Sequence, residues 1–118
     1  MSLQPLNART ALELSTKKRW AARSAISDAQ RLKADGDNVA MVAALDAARA
    51  FIQSARDLYE YAMRTGSLSH HYVRAGGGRW HARLDVDGMC AWISGKRYAQ
   101  RQSAQRAAGK AMAQWVTA

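Results

Sequence analysis

Apolar residues along this chain recur with two different periods, and the change falls near Gly66. Before it the spacing is three or four, the repeat of a helix with one buried face. From about Ala8 to Ala34, Leu14, Ala21, Ala25, Ala29 and Leu32 keep spacings of three, four or seven, while Lys17, Lys18, Arg19, Arg23 and Arg31 occupy the other side. The segment "ADGDN" interrupts the pattern: Gly36 suits a helix terminus, and Asn38 is expected to cap a second helix by accepting a backbone N–H. That helix carries the most regular seam in the chain, Met41, Leu45, Ala48, Ile52, Ala55, Tyr59 and Ala62, which Val42, Phe51 and Leu58 widen and Gly66 ends. So short a connection predicts an antiparallel helical hairpin. The same seam can close within one chain or pair two copies, so a homodimer through the hairpin is an open alternative.

Beyond Gly66 the pattern is that of strands. "HHYVRA" is short and β-prone, "GGG" at Gly76 to Gly78 is a turn, and "RWHARLDVDG" sets Trp80, Ala82, Leu84 and Val86 against His81, Arg83, Asp85 and Asp87. Asp87-Gly88 signals a hairpin, and "MCAWISG" returns with Cys90, Trp92 and Ser94 on one side and Ala91 and Ile93 on the other. After the loop "GKRYA", a last helix from about Arg101 to Val116 has the apolar line Ala104, Ala108, Ala111 and Trp115, with Ala107 and Met112 beside it. Gly109 in mid-helix costs about 1 kcal/mol relative to Ala, which points to close backbone packing there. The expected fold class is therefore α+β. A helical hairpin arm spans residues 1–66, and a three-stranded antiparallel sheet with a C-terminal helix spans 67–118, packed on the second helix as one compact domain.

Charge separates the halves further. The 118 residues hold 18 Lys and Arg against 9 Asp and Glu. From Met1 to Met63 the balance is 9 to 7, and from Arg64 to Ala118 it is 9 to 2. So concentrated a positive field attracts polyanions: nucleic acid, an anionic membrane or an acidic protein face. Cys90 is the only cysteine, so no intrachain disulfide can form and a reducing compartment is the simpler expectation. "MSLQPLNART" lacks the apolar run of a signal peptide, and no segment approaches the roughly 18 apolar residues of a membrane span. A cytoplasmic protein with no membrane partner is expected.

From Asp57 onward, the texts "DLYEYAMRTGSLSHHYV", "WHARLDVDG" and "AQRQSAQRAAGKAM" resemble the double-stranded-RNA-binding domain, whose order is helix, three strands, helix. The resemblance implies duplex RNA binding through the basic start of the last helix, with Ala104, Ala107 and Ala108 letting that helix approach the sheet. Where the family has a lysine pair, this chain has Arg101 between Gln100 and Gln102, and its first strand loop is only "AGGGR". The stretch from Trp80 to Met112 is also similar to the three-strand-plus-helix DNA-binding domains of plant ethylene-response factors and integrase arms. That likeness implies a different surface, with Arg79, His81 and Arg83 on the wet face of the sheet entering the major groove.

Phosphate binding needs converging cations and is helped by a helix N-terminus. Lys96 and Arg97 precede the last helix, Arg101 opens it, and Arg106 and Lys110 follow, a ridge of about 15 Å. With Arg79 and Arg83 these are the candidate nucleic-acid-binding residues. No catalytic or metal site is expected, and no cofactor: His70, His71, His81 and Cys90 lack zinc-site spacing, the carboxylates are scattered, and Cys90 has no base partner. Trp80, Trp92 and Trp115 fall at core or edge positions, whereas Trp20, among Lys17, Lys18, Arg19 and Arg23, suggests a second contact surface. Two functions follow. One is a small basic non-enzymatic protein that binds duplex RNA or DNA through phosphate contacts of its C-terminal helix. The other is an interaction or inhibitor protein, of phage or mobile-element accessory type, whose basic face blocks an acidic partner site.

Overall fold

The computed structural model describes residues 6–116. Its elements run α1 (Ala8–Ala34), α2 (Asn38–Thr65), β1 (Leu68–Gly76), β2 (Arg79–Val86), β3 (Met89–Ile93) and α3 (Arg101–Val116). The expected α+β order, hairpin, antiparallel sheet and last helix, is the observed one. Two compact units divide the chain: Thr10–Tyr61, and the residues up to Arg9 together with those from Ala62 onward.

The first unit is the hairpin. α1 ends as its glycine requires, with Gly36 at φ 80° and the bonds Gly36 N–H to Lys33 O and Asp37 N–H to Leu32 O closing the last turn. The cap of α2 is Asp37 and not Asn38: its Oδ1 accepts from the Ala40 N–H at 3.1 Å, and Asn38 is the first helical residue. On α2 the seam is the expected one, with Ala48 and Ala55 buried, but Ile52 is turned well out, and Val42, expected to widen the stripe, is exposed. On α1 the expected line holds at Ala29 and is one residue out earlier in the helix, where Ser15 and Ala22 are buried in place of Leu14 and Ala21. The buried line runs Ser15, Ala22 and Ala29, with Leu14 and Ala21 at its flank. Ser15 fits an apolar line because its hydroxyl donates to Ala55 O at 2.7 Å, which satisfies it and holds the two helices close.

The second unit is a sheet of order β1-β2-β3, antiparallel throughout, with α3 across one face. That face carries His70, Ala82, Leu84 and Val86, and α3 meets it with Ala104 and Ala108, both fully buried. Gln105 fixes the register of the helix: its amide donates to His70 Nδ1 at 2.7 Å and to His70 O at 3.3 Å. Gly66 has an ordinary φ, and its need is space: a Cβ there would lie 2.8 Å from Ala8 Cβ and 3.0 Å from Ala62 O. Gly109 is the reverse of the expectation. An added Cβ would meet only the His70 ring, at 3.8 Å, an ordinary contact, so no close packing calls for glycine.

Asp87 at φ 49° and Gly88 at φ 81° make the tight turn that their dipeptide signals. The returning strand departs from simple alternation. Asp85 pairs with Cys90 and Leu84 with Trp92, so Ala91 is an extra residue. Residues paired directly across strands share a face, so Cys90 lies on the open face beside Asp85 while Trp92 and Ser94 lie with the core. Cys90 and Trp92 therefore do not share a side, contrary to the alternation.

Candidate nucleic-acid interface

The C-terminal unit holds ten Lys and Arg against two carboxylates, Asp85 and Asp87. Both carboxylates lie toward one end of β2 and both are engaged. Asp87 Oδ1 accepts from Ser67 N–H at 2.8 Å. Asp85 is nearly buried, takes the Arg83 Nε–H at 2.6 Å, and has His71 Nε2 at 3.6 Å. The hydrogen bond to Asp85 raises the Arg83 pKa above the ordinary arginine value. Arg83 is thus neutralised locally, on the open face of the sheet.

The other end of β2, roughly 20 Å away at about 3.3 Å per residue, has no carboxylate of this unit near it. It is built around Trp80. The register sets Arg74 opposite Trp80, and the Arg74 guanidinium lies 5.8 Å from the indole centroid. Tyr72 meets the same ring edge-on at 5.3 Å. On the other flank, Trp80 and Tyr98 exchange both backbone bonds, at 2.8 and 2.7 Å. Ser94 pairs with Ala82 in the same way: its N–H donates to Ala82 O, and its Oγ accepts from Ala82 N–H and donates to Lys96 O.

Those two clamps explain the basic loop. Between Ser94 opposite Ala82 and Tyr98 opposite Trp80, three residues, Gly95, Lys96 and Arg97, stand against the single His81. They must bulge from the sheet edge, and Lys96 and Arg97 are both exposed there. Lys96 Nζ lies 5.3 Å from the Tyr98 ring centroid. Arg101 follows in the first turn of α3, lining a shallow depression with Trp80 and Gln102, and a second depression joins Arg101 and Arg106 to Tyr72. A third sets Arg74 and Arg79 beside the Gly76–Gly78 turn and Trp80.

Of the seven candidate residues, Arg79, Lys96, Arg97, Arg101 and Arg106 gather at this end: Arg79, Arg101 and Arg106 line the depressions beside Trp80 and Tyr72, and Lys96 and Arg97 lie in the loop held between Ser94 and Tyr98. Two stand apart. Arg83 is committed to Asp85, and Lys110 follows Arg106 by one turn toward the far end of α3, about 13 Å along the axis from Arg101. Arg74 and the ring pair Tyr72–Trp80 belong to the site and are not among the sequence candidates. Their signal was the glycine turn, which folds "YVRA" back on "RWHA" and sets Arg74 against Trp80. His81, expected on the wet face, is half-buried there with Nδ1 lacking a hydrogen-bond partner.

Among the described residues, no group of three or more His, Cys, Asp or Glu could hold a metal ion, and no helix is long and apolar enough to cross a membrane. No protein-family model, curated protein or solved structure matches this chain.

Proposed function

We propose that the C-terminal unit binds nucleic acid, with a duplex preferred, by neutralising phosphates at the Trp80 end of its sheet, and that it does so without catalysis. One observation carries this reading: Arg74, Arg79, Lys96, Arg97, Arg101 and Arg106 cluster where the unit's two carboxylates are absent. Like charges held together cost folding stability, so their convergence is explained by a polyanionic ligand. The first turn of α3 adds the backbone N–H groups of Arg101 and Gln102, ahead of those of Ser103 and Ala104, which Gln100 O accepts. Trp80 has Tyr72 at its edge and Arg74 over its ring, so it serves as a platform for cations and leaves little ring for a base. Binding of this kind follows the backbone and is weak in sequence preference.

A gel-shift series with duplex RNA, duplex DNA and single strands at rising salt tests the proposal. Affinity should fall linearly on a log–log scale, with a slope near 0.9 per neutralised phosphate on duplex DNA. Replacing Arg74, Arg79 and Arg101 together by Ala should lower that slope by about 2.7. No shift at low salt with any nucleic acid sinks the reading and turns attention to an acidic protein surface.

A further inference from the structure

The hairpin unit carries a separate group of cations beside an exposed ring. Trp20 on α1 is 62% exposed, well above the 40% of Tyr72. The Arg23 guanidinium lies 5.5 Å from its ring centroid, but the indole, unlike the half-buried Trp80 that also has Tyr72 against it, keeps most of its surface open. Arg19 lies 5.3 Å over the Tyr59 ring of α2. Two shallow depressions meet at Arg19, one running to Trp20 and Arg23, the other to Ile52 and Arg56.

Six of the eight cations in Thr10–Tyr61 make no ion pair among the described residues, the three arginines of this face, Arg19, Arg23 and Arg56, among them. Arg31 pairs with Asp28 and Arg49 with Asp46. An indole left this exposed forgoes most of its burial energy, and the cations around it invite an anion that also brings a flat apolar face.

We propose that this face binds single-stranded nucleic acid, with a base stacking on Trp20 and phosphates meeting Arg19, Arg23 and Arg56. Each nucleotide supplies one ring and one negative charge, which matches rings and guanidinium groups set side by side. A membrane surface fits less well, since an interfacial helix needs a broad apolar face and Trp20 is bordered by Thr16, Arg19 and Arg23. An acidic peptide matches the arginines and leaves the indole uncovered. The site lies on the other unit and does not rest on the reading of the C-terminal one.

The test uses the full chain and fluorescence anisotropy with a labelled oligouridine of about twelve nucleotides, within the usual span of single-strand sites. It is run with and without the Arg74, Arg79 and Arg101 substitutions, so that the two sites are read separately. Trp20→Ala should weaken oligouridine binding about ten-fold in both backgrounds, Trp20→Phe should restore most of it, and duplex binding should stay unchanged. Double substitution of Arg19 and Arg23 by Ala should weaken it as well and flatten its salt dependence. Wild-type affinity for oligouridine after Trp20→Ala overturns the proposal. So does an equal loss of binding to polyglutamate or to phosphatidylserine vesicles, which would assign the face to an acidic protein or a membrane. Because Trp20 is exposed, unchanged thermal unfolding of Trp20→Ala is the expected control.

Discussion

The two units hold helices in place with side chains of different grain. In the hairpin the buried positions are small apart from Leu12, namely Ala11, Ser15, Ala22, Ala29, Ala48 and Ala55, while larger groups such as Val39 and Val42 are exposed. In the C-terminal unit the helix is small and the sheet is large: Ala104 and Ala108 meet a face that includes Leu84 and Val86. Small against small gives stability through close backbone approach, as the Ser15 to Ala55 bond illustrates. Small against large gives it through interdigitation, with more apolar area removed from water. The hairpin is therefore easy to overfill and the C-terminal unit easy to hollow out. Charge follows the same division. Thr10–Tyr61 carries eight Lys and Arg against seven Asp and Glu, and the other unit ten against two, so only the second must bear strong self-repulsion on its core.

Hollowing the sheet should do most damage. Leu84→Ala removes a fully buried side chain and is expected to cost about 2–5 kcal/mol, seen as a lower Tm and as faster amide exchange across the three strands. If exchange rose first in the hairpin instead, the contrast between the units would fail. Filling the hairpin comes next: Ala55→Leu should cost about 1–3 kcal/mol by parting the helices, whereas the equally apolar Val42→Leu, at an exposed position, should be near neutral. Ser94→Ala sharpens the picture of the basic loop. It strips Ala82 N–H of its acceptor and frees Lys96 O, so a loss of about 1–3 kcal/mol should accompany faster exchange at Lys96 and Arg97. The smallest effect should be a gain. Gly109→Ala has room beside His70, and chemical denaturation should show stabilisation of up to about 1 kcal/mol.

Most of the fold was legible because its signals are local. The seam of α2, the switch of period at Gly66 and the Asp87-Gly88 turn each lie within a few residues of the structure they specify. What was missed depends on partners distant in sequence. Ser15 reads as polar until Ala55 is known to receive its hydroxyl, so the expected α1 line started at Leu14 instead and met the buried line only at Ala29. The extra residue at Ala91 is a property of pairing with β2, so alternation along β3 alone put Cys90 and Trp92 on one face. The candidate site was legible as a list of cations and not as a place. Arg83 belongs to Asp85, and Arg74 enters only when the glycine turn folds it against Trp80. Spacing along α3 placed Arg106 with Arg101, and the two line one depression with Tyr72, but it carried the ridge on to Lys110, a further turn toward the far end of the helix.

Gly66 ties residues that the ribosome makes at very different times. Ala8 is made before the whole of Thr10–Tyr61, and the glycine it touches and the Val86 methyl beside it come only after it. The hairpin can thus fold on the nascent chain while Ala8 waits for its partners. Closing that circuit late, against the entropy of a long loop, makes the contact at Gly66 the expected slow and final step of folding.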